Sequence, residues 1–97
     1  GKLTPAVNPL PIADGLLTSL SELTFAIIRK NVDNIFTARE ESIVDCMRLV
    51  WERMKIIIEP SSATVLAIIK ENPDFFRAKR IGLILTGGNV DFKKLPF

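Results

Sequence analysis

Ninety-seven residues, 47% of them hydrophobic, suffice for one small domain with a buried core. Thirteen Lys and Arg against eleven Asp and Glu leave a net charge of +2, without the basic block and interleaved aromatics of a nucleic-acid surface. One cysteine, Cys46, and no histidine exclude an internal disulfide, a zinc centre and a histidine-dependent catalytic set.

Residues 1–12, GKLTPAVNPLPI, carry three of the six prolines and no periodicity, which predicts an extended connector reaching to about residue 18. Ser19-Leu20-Ser21-Glu22 has capping-box spacing, and Leu23, Ile27 and Ile28 follow at helical intervals, so a helix is expected over about 19–31. Val32 to Thr37 has the β-branched and aromatic content of a short strand. A second box, Thr37-Ala38-Arg39-Glu40, opens the longest helix, with an apolar stripe of Ile43, Met47, Val50, Met54 and Ile57 flanked by Val44, Trp51 and Ile58. Cys46 reads as a small buried residue of that helix.

Pro60 should end this helix and begin another, Ser61 to Glu71, because proline is favoured in a first helical turn. Asn72-Pro73-Asp74 stops it, and the solid apolar run within Arg80–Thr86 predicts a strand covered on both faces, as in a parallel sheet. The order is α-β-α-α-β, an α/β class in which strands near 33–37 and 80–86 run parallel with a right-handed crossover. Two strands alone would leave bare edges, whereas compact α/β domains carry about five or six. The expectation is therefore the C-terminal part, residues 19–97, of a larger domain, or a sheet completed by a partner chain.

No run approaches the ~18 apolar residues that span a bilayer, and no charged-then-apolar leader is visible, so no membrane association is expected and the setting reads as soluble, reducing and cytoplasmic. The stretch LTGGNVD, residues 85–91, places a hydroxyl and two glycines at a predicted strand end, where backbone can approach a flat or charged partner. On its own it is equally a strand-to-turn element.

IADGL (12–16), LVWERMKIIIEPSSA (49–63) and LTGGNVDFKKLPF (85–97), in that order and spacing, resemble the C-terminal part of fold-type II (tryptophan synthase β-like) pyridoxal-phosphate enzymes. The similar branch is that of serine racemase and the serine/threonine ammonia-lyases, or threonine dehydratases. The resemblance covers essentially the whole chain. It implies a pyridoxal 5'-phosphate cofactor and a 3-hydroxy amino acid as small-molecule substrate: serine, threonine or 3-hydroxyaspartate. It also implies a homodimer for the complete enzyme.

By this resemblance Thr86 would hydrogen-bond the pyridine nitrogen. Gly87 and Gly88 would leave room for the ring, Glu59 would lie near it, and Gly15 would pack its backbone against one face. A neutral hydroxyl partner makes the ring a milder electron sink than a carboxylate would, which favours prompt loss of a β-hydroxyl after α-proton removal. Other readings stand beside these: Glu59 as a carboxylate capping the third helix, Gly15 as a turn glycine after Asp14. Lys55 and Asn89 match positions that contact an activating nucleotide in eukaryotic serine racemases. Lys55 is equally a lysine favoured by the dipole at a helix C-terminus.

The family's Schiff-base lysine motif, glycine-rich phosphate cradle, carboxylate-gripping loop and acidic divalent-cation site have no counterpart among these residues, so neither Lys55 nor Lys70 takes the catalytic role and no metal ligand is assigned. The chain is expected to work only with the remainder of such an enzyme. The alternative is a non-catalytic α/β module that associates through exposed strands.

Overall fold

The computed structural model describes residues 12, 13, 16 and 19–97. The elements are α1 (Glu22–Asn31), α2 (Glu40–Met54), α3 (Pro60–Glu71), a single-turn α4 (Pro73–Phe76) and a 3-10 turn, Phe92–Lys94. Among the described residues none forms a strand. The order α-β-α-α-β is thus not what these residues display: 32–39 and 79–91 are irregular, not laddered. A strand is defined by hydrogen bonds to a neighbour, and neither predicted segment has one beside it. Composition marks a segment as fit for a sheet; only a partner makes it a strand.

α1 begins later than its first hydroxyl suggests. Ser21 is the N-cap, its side chain accepts from Thr24 N–H at 3.2 Å, and Thr24 Oγ1 accepts from Ser21 N–H at 2.9 Å, so the reciprocal box is Ser21/Thr24 and not Ser19/Glu22. α1 buries no residue, and none of the other helices packs against it. Its apolar side chains Leu23 and Ile27 stand bare, at 71% and 52% exposure.

The second predicted box also does not form. α2 is N-capped by the backbone of Arg39 with no side-chain bond, and Glu40, the expected reciprocal partner, instead accepts the N–H of Ile12 at 2.6 Å. α2 stops at Met54, short of Pro60, because Lys55 adopts the left-handed region at φ 60° while its N–H still bonds Trp51 O at 3.2 Å. The predicted stripe therefore divides. Ile43, Met47 and Val50 are buried with Cys46, whereas Met54 and Ile57 are 58% and 48% exposed.

After an extended link, residues 55–59, α3 runs back antiparallel to α2. Its C-terminal residues reach the N-terminal turns of α2: Lys70 Nζ lies 3.1 Å from Asp45 Oδ2, and Glu71 Oε1 takes both the backbone N–H and the Nε–H of Arg39. A hydrogen bond from Ser42, then those from Arg39, hold the Glu71 carboxyl below its usual range. Between the helices lie Ile43, Cys46, Met47 and Val50 of α2, Ala63 and Ala67 of α3, and Ile58 of the link. The two alanines let the helices approach closely. Burial pushes the Cys46 thiol up, so it is an inert core group at neutral pH.

Trp51 closes the far end. Its Nε1–H donates to Ile58 O at 2.8 Å, and its ring meets Phe92 and Phe97 edge-to-face at 6.1 and 5.3 Å. These contacts bring the C-terminal tail back across the link, so that Val90 and Leu95 cover the core. At the opposite side Phe36 packs on Phe75 and Phe76 at 5.1 and 5.7 Å, which anchors the irregular segment 32–39.

Candidate functional site

The extended link and the end of the apolar run 80–86 meet at the head of α3. Pro60 occupies the first helical position, where a missing N–H costs nothing, and Glu59 is the N-cap, its carbonyl accepting from Ser62 and Ala63 N–H at 3.0 and 3.3 Å. The Glu59 side chain makes no cap bond, so the helix-capping reading of that carboxylate fails. It turns instead toward the glycine pair, with Oε1 3.4 Å from Asn89 N. The N–H of Glu59 donates to Gly87 O at 3.0 Å, tying link to run.

Ser62, one turn into α3 and 1% exposed, is the residue that organises this junction. Its Oγ donates to Gly87 O at 2.7 Å, accepts from Gly87 N at 2.8 Å, and lies 3.2 Å from Thr86 Oγ1. Thr86 itself is exposed. Sequence reasoning overlooked Ser62. The only available signal was a hydroxyl in the first turn of a helix that already had a cap candidate.

Both glycines lie close against this chain's own atoms. A Cβ on Gly87 would lie 2.7 Å from Glu59 Oε1, and one on Gly88 would run into the carbonyl oxygen of Ile57. The first obstacle is the end of a rotatable side chain; the second is backbone. Gly88→Ala should therefore lower thermal stability clearly, by about 1–3 kcal/mol as overpacking does, and Gly87→Ala by less. Parallel thermal denaturation of the two variants checks the ranking, and an equal or reversed effect would contradict this geometry.

Thr86, Gly87, Gly88 and Glu59 are thus brought together, and Asn89 joins them through its backbone. Lys55 is exposed at the C-terminal end of α2. Gly15 lies outside the described residues. A cavity of about 210 Å³ opens beside the junction, lined by Ile12, Met47, Pro60, Asn89, Val90 and Lys94 among others, and includes neither Thr86 nor Glu59. The hydroxyl site is an open surface. One further polar atom nearby, Ser61 Oγ, is buried without a hydrogen-bond partner. Among the described residues no group of three or more Cys, Asp or Glu could hold a metal ion, and no helix is long and apolar enough to cross a membrane.

Comparison with known proteins agrees with the motifs at this junction. The chain is 49% identical over 89 residues to beta-hydroxyaspartate dehydratase of Paracoccus denitrificans, covering 92% of this chain and 28% of that protein. It is 52% identical over 96 residues to serine racemase of Dictyostelium discoideum, covering 97% of this chain and 29% of that one. The solved structure of maize serine racemase superimposes with a TM-score of 0.83 at 34% identity, over 95% of this chain and 30% of that one. The chain thus spans less than a third of the length of these relatives. The family model described as "Pyridoxal-phosphate dependent enzyme" matches residues 1–87, most of the chain, and the structural neighbours are fold-type II enzymes: the chain belongs to the pyridoxal-phosphate dependent enzyme family.

Proposed function

We propose that this chain is the C-terminal segment of a pyridoxal-phosphate-dependent serine/threonine ammonia-lyase or serine racemase, acting on a 3-hydroxy amino acid by α-proton removal and loss of the β-hydroxyl. The observation that carries the reading is the Thr86 hydroxyl, exposed at the end of an apolar run and anchored from behind by buried Ser62. The donor set fits a pyridine nitrogen: a hydroxyl offers both a proton and lone pairs, whereas an ammonium would only donate and a carboxylate only accept. When bound, the cofactor supplies the electron sink that makes an amino acid's α-proton removable.

What this segment contributes is a floor for one edge of the ring. Thr86 would hydrogen-bond the ring nitrogen. Glu59 sets a carboxylate beside the glycine pair, where it would lie near the ring, and Gly15 would pack its backbone against one face. The α-proton is taken by a lysine that the remainder of the enzyme supplies. Lys55 and Asn89, the first exposed at a helix end, are the proposed contacts for an activating nucleotide. Residues 1–18 lead into the 19–97 segment.

The rest of the architecture is read in the same way. Ile35 and Ile84 are each 78% exposed, and Leu23 and Ile27 of α1 are also exposed. Faces of this kind are ordinarily covered, and we assign them to the remaining strands and helices of a parallel sheet in which 33–37 and 80–86 are strands. A homodimer in a cytoplasmic setting belongs to the same proposal.

The test is a paired assay. The full-length protein, loaded with pyridoxal phosphate, should release ammonia or invert configuration with saturable kinetics on L-serine, L-threonine or threo-3-hydroxyaspartate. The 97-residue chain alone should do no more than free cofactor, because the groups that hold substrate and base in reacting geometry are elsewhere. A loaded full-length protein inert on all three would overturn the reading.

A further inference from the structure

Two oxygens, Gly87 O and Thr86 Oγ1, compete for the one hydroxyl proton of Ser62 at the head of α3. Gly87 N–H can only donate, so it occupies a lone pair of Ser62 Oγ at 2.8 Å. Gly87 O can only accept, and it stands 2.7 Å from the same oxygen. Ser62 has one hydroxyl proton, and the shorter of its remaining contacts claims it. The Thr86 hydroxyl, 3.2 Å away, must then donate to Ser62 and present lone pairs outward. Yet Gly87 O already accepts the N–H of Glu59 at 3.0 Å, so it stays satisfied if Ser62 turns its proton to Thr86 instead. In that second arrangement Thr86 donates outward. Both arrangements leave Ser62 Oγ, Gly87 N–H and Gly87 O paired, and they differ only in two hydroxyl rotations.

We propose that Ser62 is a positioning residue that sets which way the Thr86 hydroxyl hydrogen-bonds to the ring nitrogen of the cofactor. This rests on the reading of Thr86 given above. With Ser62 present, Thr86 can accept from a protonated ring nitrogen, because its own proton has a buried acceptor behind it. With that acceptor removed, Thr86 is left to donate outward, which favours the unprotonated ring. Ser62 thereby tunes the electron sink from a position that never touches it. Among the described residues the ionisable side chain packed against this end of the apolar run is Glu59, and it is retained in every variant, so its field cancels in the comparison.

The experiment uses the full-length holoenzyme with cofactor labelled with nitrogen-15 in the ring, followed by NMR across pH. Ser62→Ala should lower the apparent pKa of the ring nitrogen by roughly one pH unit, the scale of one hydrogen bond. Ser62→Cys, close in volume but a weaker hydrogen-bonding group, should shift it the same way by less, and serves if the alanine variant folds poorly. In cofactor-free protein, Ser62→Ala should also remove exchange protection from the Gly87 amide. Combined with Thr86→Ala, the Ser62→Ala shift should vanish, since Ser62 acts through Thr86. If Thr86→Ala leaves the ring signal unmoved, the assignment of Thr86 itself fails. If Thr86→Ala moves it and neither Ser62 variant does, or if the Ser62 shift survives undiminished without Thr86, the inference about Ser62 alone is overturned.

Discussion

Thr86→Ala in the full-length enzyme should weaken catalysis by about one to two orders of magnitude, the scale of one polar contact worth roughly 1.5–3 kcal/mol. Thr86→Ser should keep most of the activity, because donor and acceptor both survive. The methyl group lost with serine faces an exposed position and carries little packing. Thr86→Asp is the sharper variant. A carboxylate at the ring nitrogen favours its protonated form, strengthens the electron sink, and should shift the partition from loss of the β-hydroxyl toward reprotonation, read as the ratio of elimination to racemisation. Rates, cofactor affinity and cofactor absorbance measured on folded protein check all three. An alanine variant unchanged in every one would return LTGGNVD to the role of a strand-to-turn element.

Met47→Ala should cost about 2–5 kcal/mol, the cost of emptying a closed core site. Met47 is fully buried between α2 and α3, at 0% exposure, so little around it can collapse without moving a helix. Met54→Ala, seven residues on along the same predicted stripe, should change stability by no more than about 0.5 kcal/mol, since its side chain, on the last residue of the helix, is largely in water. Denaturant midpoints of the two variants give the comparison. Equal losses would mean that helix α2 continues past Lys55, against the geometry described here.

This contrast shows where reading a sequence runs out. Periodicity sees Met47 and Met54 as equivalent, because both lie on one helical face. What separates them is a backbone event at Lys55, a left-handed residue that is neither Gly nor Asn and so carries no composition signal. The two capping boxes failed for a related reason. Each had the right residues at the right spacing, yet Glu40 is taken by Ile12 and the working box of α1 starts two residues later at Ser21. Caps compete for nearby partners, and a spacing rule does not see the competitors.

The candidate site was legible in part. Hydroxyl, glycine pair and carboxylate were singled out through the family resemblance, and the fold does bring Thr86, Gly87 and Glu59 together. The glycines have a second reason that the sequence did not show: a Cβ on Gly88 would meet the Ile57 carbonyl and one on Gly87 the Glu59 carboxylate, before any ligand is considered. Ser62 was not legible at all, because a serine in a first helical turn is ordinary until the Gly87 backbone is seen to lie against it.

The sequence by itself determined the family, the presence of α2, the bounds of α3 to within a residue, and the chemical types at the end of the apolar run, because these depend on residue identity and short-range spacing. Only the tertiary structure decided where α2 stops, which half of the apolar stripe is core, and that one buried hydroxyl joins Thr86 to Gly87. Those facts depend on pairs such as Ser62 with Gly87, Glu59 with Asn89 and Trp51 with Ile58, Phe92 and Phe97. Hydrogen bonds and ring contacts of that kind form between atoms distant in the chain, at tolerances of tenths of an ångström, and no local pattern encodes which partners will meet.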